Sequence, residues 1–78
     1  MISRNIKFNS ETEIVEFVNE MSKQPYNVDL SRGRFVVDAK SILGVFCLGI
    51  GQMIRMDIHS DHAENLLYAV DGLLAHSA

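Results

Sequence analysis

The sequence predicts an α+β protein in which one antiparallel four-stranded sheet is covered by three helices on one face. Apolar residues recur at every second position in four short segments and at helical spacing in three others. The segments follow one another in the order strand, helix, strand, strand, helix, strand, helix. Because each segment is apolar on one side, an open-faced sandwich of helices on a sheet buries all of those sides together.

Length and composition are those of a small globular domain. The chain has 78 residues, of which 47% are hydrophobic and 22% are charged, and this balance excludes a disordered chain. We expect a single domain over residues 1–78, stabilised by packing, because the one cysteine cannot form an intrachain disulfide. The net charge of −3 gives no basic stripe for nucleic acid, and no apolar run is long enough to cross a membrane. We therefore expect a cytoplasmic protein that binds neither nucleic acid nor membranes.

The first third of the chain predicts a strand followed by a helix. Residues 2–8 largely alternate between apolar and polar side chains, which is typical of a half-buried strand. The apolar period then changes to that of a helix over residues 11–22, and Ser10 and Glu13 have the spacing of a capping box at its start. Pro25 stops the helix, because proline has no backbone donor and restricts the residue before it.

The middle of the chain predicts a hairpin and a short helix. Residues 26–30 and 35–37 alternate as two strands, and the turn between them contains Gly33, which suits a positive φ. Residues 41–48 are mostly apolar, begin with a serine that is a good N-cap residue and are followed by Gly49. This pattern indicates a second helix of about two turns.

The remaining segments predict a fourth strand and a third helix. Residues 54–58 alternate, and residues 62–75 carry a wide apolar stripe at helical spacing. Ser60 and Asp61 precede the stripe and are candidates for the helix cap.

One segment, in a chain with this length and order of elements, resembles a known family. Residues 40–45 read Lys-Ser-Ile-Leu-Gly-Val and are followed by Leu48-Gly49 and a strand. The stretch is similar to that of HPr, the histidine-containing phosphocarrier protein of the bacterial sugar phosphotransferase system, where it reads much like Lys-Ser-Ile-Met-Gly-Val. The resemblance implies a four-stranded antiparallel sheet covered by three helices, which agrees with the pattern of segments.

The start of the first helix departs from the family. Members that carry phosphate have a histidine there, followed by an arginine, in a pattern like His-Ala-Arg-Pro. Here Glu11 stands near the histidine position and Glu13 near the arginine position, and the three histidines lie far away in sequence. Carboxylates in the first turn complement the same helix dipole that would attract phosphate, and they repel a second anion. We expect a degenerate phosphocarrier site, although both glutamates also suit an ordinary helix start.

Ser41 has a structural and a regulatory interpretation. As structure, it is the N-cap of the second helix, and alanine in its place costs about 1 kcal/mol. The resemblance implies a second role, because the family's serine at this place is modified by an ATP-dependent regulatory kinase. A phosphate there gains from the helix N-terminus, whereas the nearby Asp38 opposes it.

Ile42, Leu43 and Phe46 lie on a helix that is too short to bury every apolar side chain it carries. An exposed apolar patch with polar surroundings is a usual protein-interaction site. In the HPr family the corresponding surface binds the general phosphotransfer enzyme, sugar permease domains and a catabolite-control transcription factor, so the resemblance implies partner binding. The alternative is that the three side chains complete the core.

Other reactive side chains predict no further site. His59, Asp61 and His62 are close in sequence, but a closed zinc site needs four suitably directed ligands, so we expect no metal. Cys47 is expected to be a small buried hydrophobic residue. The sequence shows no phosphate-binding glycine loop and no histidine beside the cysteine, and we expect neither an enzyme nor a cofactor.

Three functions remain open at this point. The first is an HPr-like regulatory module that binds proteins such as HPr kinase/phosphorylase or a catabolite-control transcription factor. The second is a divergent phosphocarrier in which Glu11, or another group, accepts phosphate in place of histidine. The third is an unmodified subunit of an unrelated assembly.

Overall fold

The computed structural model describes residues 1–73, and within that range it confirms the predicted class and order of elements. The elements are β1 (Ile2–Ile6), α1 (Glu11–Ser22), β2 (Val28–Arg32), β3 (Phe35–Asp38), α2 (Ile42–Leu48), β4 (Ile54–Ile58) and α3 (Glu64–Ala69). One 3₁₀ turn, Asp71–Leu73, follows α3. None of the helices in this part of the chain has the length and apolar character needed to span a membrane.

The strands form one antiparallel sheet in the order β1-β4-β2-β3. Ile58 of β4 pairs with Ile2 of β1 on one side and with Val28 of β2 on the other. The last strand in sequence therefore lies between the first two, and β1 and β3 are the edges of the sheet. Such long-range pairing is not contained in the local period that predicts each strand.

The hydrophobic core fills the space between one face of the sheet and the helices. Alternate residues of the strands are buried, and the helices bury the side chains that face them. The sheet contributes Ile6, Val28, Leu30, Ile54, Met56 and Ile58, and the helices contribute Ile14, Phe17, Val18, Met21, Val45, Leu48 and Leu66. The rings of Phe8 and Phe17 meet edge to face with centroids 5.1 Å apart, which fixes the chain before α1 against the helix.

The β2–β3 hairpin closes through the two-residue turn Gly33-Arg34. Arg32 pairs with Phe35, and Gly33 has a φ of +60° whereas no residue other than glycine has a positive φ in residues 1–73. Glycine at the first central position is the type II′ arrangement, whose twist suits a hairpin. The predicted role of Gly33 is confirmed, but β2 and β3 each extend beyond the predicted strands, to Arg32 and Asp38.

The first strand is shorter than predicted, because the backbone after Ile6 bonds outside the sheet. Lys7 N–H donates to the carbonyl of Leu73 at 3.0 Å, and the carbonyl of Phe8 accepts from Gly51 N–H at 2.8 Å. Phe8 is nevertheless fully buried, as its place in the apolar alternation predicts.

The third helix differs from its prediction at both ends. Ser60 Oγ accepts from the nearby His62 N–H at 3.1 Å, so α3 begins later, after Ala63 and without a side-chain cap. After Val70 the chain tightens, and Leu73 N–H donates to the Val70 carbonyl at 2.8 Å. Residues 74 and 75, which the prediction includes in the helix, lie outside the described residues.

Candidate functional site

The start of α1 is closed by a reciprocal pair of hydrogen bonds. Ser10 is the N-cap in extended conformation, and its Oγ accepts from Glu13 N–H at 3.2 Å. Glu13 Oε1 in turn accepts from Asn9 N–H at 2.7 Å. The predicted capping box is present in a modified form: Ser10 caps the Glu13 amide, whereas the Glu13 carboxylate binds the amide of Asn9, one residue before the N-cap.

Glu11 differs from Glu13 in its surroundings. It is the first residue of α1 and its side chain is exposed, whereas Glu13 is partly buried in the capping box. Both carboxylates lie in the first turn, where the helix dipole favours negative charge. Their combined charge opposes a further anion at this corner.

His59 lies at the opposite end of the sheet from the start of α1. In the antiparallel β1–β4 pair, Ile6 is opposite Ile54, so the chain leaves for α1 at that end of β4. His59 follows Ile58 at the other end, which places it about 16 Å beyond Ile54 along the strand direction. There its Nε2 lies 2.8 Å from Oδ2 of Asp29.

Of the other two histidines, the structure describes His62 alone. His62 is exposed in the turn before α3, and its Nδ1 lies 3.8 Å from Oε1 of Glu64. His76 lies outside the described residues.

Ser41 begins α2 as its N-cap. Its Oγ accepts from Gly44 N–H at 3.3 Å, and its own N–H donates to the Asp38 carbonyl at 2.9 Å. The Asp38 carboxylate is held beside this turn, because Oδ1 accepts from Lys40 N–H at 2.8 Å. The residue is exposed, so its hydroxyl combines a capping role with access from solvent.

Two contacts fix α2 against its neighbours. Lys40 Nζ donates to the carbonyl of Gln24 at 3.0 Å, which ties the start of α2 to the loop after α1. A Cβ at Gly44 would lie 3.1 Å from the Cβ of Val37, so glycine allows α2 to approach β3 closely. These contacts fix the orientation of α2, and with it the direction in which the other side chains of the helix point.

The predicted apolar patch lies on the outer side of α2. Val45 and Leu48 are buried, whereas Leu43 is 77% exposed and Ile42 and Phe46 are 37% and 36% exposed. Leu43 is thus a surface side chain, and Ile42 and Phe46 are each about two-thirds buried. The three are not part of the buried core, which is the condition that the interaction-surface interpretation requires.

Cys47 was expected in the core, and this prediction is wrong. It is exposed, because it lies four residues after Leu43 and so shares the outer side of the helix. Ile50 and Met53, in the loop after α2, are also exposed, and sequence reasoning did not single them out as surface residues. The spacing of Val45 and Leu48 marks the inward side, and this signal could have placed Cys47 outside.

The loop after α2 lies against the segment before α1. Gly51 N–H donates to the Phe8 carbonyl at 2.8 Å, and Gly51 has a φ of +76°, which favours glycine. Phe8 precedes the capping box of α1 by two residues. The segment before α1 and the loop that carries Ile50 are therefore adjacent in the fold.

The open face of the sheet carries a separate polar network. The Ser3 hydroxyl donates to Oδ1 of Asp57 at 2.6 Å, and Arg55 Nε donates to the same oxygen at 2.9 Å. These contacts hold the pKa of Asp57 below its usual range, with Ser3 as the largest cause and burial acting in the opposite direction. Both bonds end on one oxygen of Asp57, and the network links β1 to β4 across the open face.

Comparison with known proteins identifies the fold. No model of a known protein family matches the sequence, and no curated protein matches it significantly. Among solved structures, HPr-C-His from Thermoanaerobacter tengcongensis is similar, with 23% sequence identity over 92% of this chain and 89% of that one and a TM-score of 0.76.

Two further phosphocarriers have the same fold. HPr from Bacillus anthracis str. Ames is 22% identical over 95% of this chain and 96% of its own, with a TM-score of 0.73. The histidine-containing phosphocarrier protein of Mycoplasma is 15% identical over 91% and 89%, with a TM-score of 0.72. These likenesses show that the chain has the HPr fold over nearly its whole length.

Proposed function

We propose that this chain is an HPr-like protein of the phosphotransferase-system family that does not carry phosphate on histidine and acts as a regulatory protein-binding module in the cytoplasm. It is not an enzyme and needs no cofactor. The observation that carries the proposal is the closed start of α1, where Glu13 binds the Asn9 amide and Glu11 stands near the histidine position. Without a histidine to accept phosphate, a protein with this fold can act only through the proteins that bind its surface.

The docking surface in this proposal is formed by Ile42, Leu43 and Phe46. Their exposure on α2 supports it, since an exposed apolar patch on a small domain is a usual binding site. The partners are of the phosphotransferase or catabolite-control type, namely HPr kinase/phosphorylase and a catabolite-control transcription factor. The phosphocarrier names of the similar structures and the Lys-Ser-Ile-Leu-Gly-Val segment support this choice.

Ser41 is the regulatory site in the same proposal. The kinase would transfer the γ-phosphoryl group of ATP to Ser41 Oγ, with ADP as the leaving group and the hydroxyl proton released. The exposure of Ser41 and its position as N-cap of α2 support modification, because phosphate at a helix start is stabilised by the dipole. Added charge next to Leu43 would change which partner binds the patch.

The kinase reaction tests this regulatory role directly. The protein is incubated with HPr kinase/phosphorylase and ATP and its intact mass is measured, with Ser41→Ala as the matched control. We expect wild type to gain the mass of one phosphoryl group and the variant to gain none. An unmodified wild-type protein, or equal modification of both proteins, contradicts the assignment of Ser41.

A divergent phosphocarrier is the second candidate function, and the exposure of Glu11 favours it as acceptor over Glu13. An acyl phosphate on Glu11 would be cleaved by hydroxylamine, whereas phosphoserine would survive. Labelling from phosphoenolpyruvate that is lost in hydroxylamine and absent in Glu11→Gln would replace the first proposal with this one.

A further inference from the structure

The outer edge of β3 is apolar and accessible. Phe35 and Val36 are 69% and 66% exposed, although both lie in a regular strand. Proteins usually protect an edge strand with charges or proline, because its unpaired backbone groups attract another strand. Neither occurs within Phe35–Asp38 until the final aspartate.

The register of the hairpin shows which backbone groups point outwards. Ala39 N–H donates to the Val28 carbonyl at 2.9 Å, and bonded pairs alternate with non-bonded pairs along an antiparallel ladder. Phe35 and Val37 therefore bond to β2, whereas the N–H and carbonyl of Val36 point away from the sheet. Val36 can exchange two hydrogen bonds with a strand that approaches the edge.

The residues around Val36 are self-complementary in charge. If two copies of β3 pair antiparallel with Val36 opposite itself, Arg34 of each copy lies opposite Asp38 of the other. Both side chains are exposed, and Arg34 makes no ion pair within residues 1–73. Opposite charges directly across an antiparallel pair are stabilising, and the two-fold axis provides this pair twice.

We propose that a second copy of this chain binds at the β3 edge, which joins the two four-stranded sheets into one sheet of eight strands. Val36 of one copy bonds to Val36 of the other, and an Arg34–Asp38 pair lies on each side. On the helix-bearing face, Phe35 of one copy packs against Val37 of the other. The interface is small, so the dimer is weak and reversible. This inference does not depend on the proposed regulatory function.

The other edge of the sheet is less suited to the same arrangement. Strand β1 has Arg4 at its midpoint, so the corresponding two-fold pairing would place two like charges opposite each other. The charge pattern therefore selects β3 over β1 as the self-pairing edge.

Sedimentation equilibrium over a range of concentrations tests the dimer. We expect wild type to associate below about 1 mM, and Val36→Lys to weaken association at least about tenfold, because it places like charges at the axis. Val15→Lys is the matched control, since it changes a half-exposed valine on α1, and it should associate like wild type. A monomeric wild type, or an unchanged Val36→Lys, contradicts the proposal.

Charge exchange gives a sharper test of the register. In a dimer of Arg34→Asp, the new aspartate of each copy would face Asp38 of the other. In a dimer of Asp38→Arg, the new arginine of each copy would face Arg34 of the other. Like charges would meet on both sides of the axis, so each variant alone should be monomeric. An equimolar mixture of the two variants should form heterodimers, because a carboxylate of one variant then faces an arginine of the other on both sides of the axis. Circular dichroism checks that both variants fold, and failure of the folded mixture to associate contradicts the register.

Amide hydrogen exchange identifies the contact itself. Exchange at Val36 should slow as the concentration rises, whereas exchange at Phe35 and Val37, already bonded to β2, should not change. Protection confined to β1 or α2, or an edge that binds only an extended peptide of another protein, would show that the second copy is not the occupant.

Discussion

Glu13 is the residue on which the proposed function depends most closely. Its carboxylate accepts from the Asn9 amide 2.7 Å away, and the Ser10 hydroxyl accepts from the amide of Glu13. Two amides at the start of α1, those of Asn9 and Glu13, are thus bonded within the chain. These bonds stabilise the start of the helix, and in the proposed function they also occupy the place that the resemblance assigns to a phosphate.

Asp57 provides a prediction on pH at the same scale. Its pKa is lowered in the folded protein, chiefly by the Ser3 hydroxyl, so the carboxylate stabilises the fold above its unfolded pKa of about 3.9. This contribution is lost as the pH falls through the lowered folded pKa. We expect Asp57→Asn to reduce the free energy of unfolding by about 1 kcal/mol at pH 7 and to match wild type in strong acid.

Denaturant unfolding across this pH range measures the effect. Asp61→Asn is the control, since Asp61 is highly exposed and its pair with the terminal amine is a surface pair of little weight. The control should stay close to wild type throughout. A loss in Asp57→Asn that is equally large below the lowered pKa would show that the carboxylate charge is not its cause.

At the scale of elements, α2 combines an inner and an outer surface in seven residues. Val45 and Leu48 anchor it, Gly44 allows it to approach Val37, and Leu43 remains outside. The sequence predicts the existence and the cap of this helix, because both are local. It did not predict the exposure of Cys47, because the exposure of this side chain depends on which side of α2 packs against β3.

Phe46→Ala tests the outer surface of α2. Because about two-thirds of this side chain is buried, we expect a loss of about 1–2 kcal/mol in unfolding free energy, less than the 3–5 kcal/mol of a core phenylalanine. Binding of the catabolite-control transcription factor, measured by titration calorimetry, should weaken at least about tenfold.

Tyr68→Ala is the matched control for this experiment, because it removes a highly exposed aromatic ring from α3. It should leave both stability and binding nearly unchanged. A loss of more than about 3 kcal/mol in Phe46→Ala would make the residue part of the core. If wild type does not bind the transcription factor, or if Phe46→Ala binds it equally well, the proposal that α2 carries the docking surface is wrong.

At the scale of the whole molecule, local periodicity predicts the class and the order of elements but not the sheet. Ile58 contacts both Ile2 and Val28, and no local pattern reveals that β4 lies between β1 and β2. The third helix was predicted too long for a related reason, since the bond from Lys7 N–H to the Leu73 carbonyl, at the 3₁₀ turn after α3, is a tertiary contact. The capping box and Gly33 were predictable because each acts within four residues.

The functional account also belongs to the whole molecule. The fold is that of HPr, and the first turn of α1 contains Glu11 and Glu13. His59 and His62 have other neighbours at other places in the fold. The proposed function therefore rests on the scaffold, the Ser41 cap and the outer side of α2.

The most direct measurement is incubation with phosphoenolpyruvate carrying labelled phosphate and the general enzyme of the phosphotransferase system. A histidine-bearing HPr serves as the positive control in the same reaction. The account predicts that this protein remains unlabelled while the control is labelled. Acid-labile label on any of its residues would contradict the claim that it is recognised but not phosphorylated by this route.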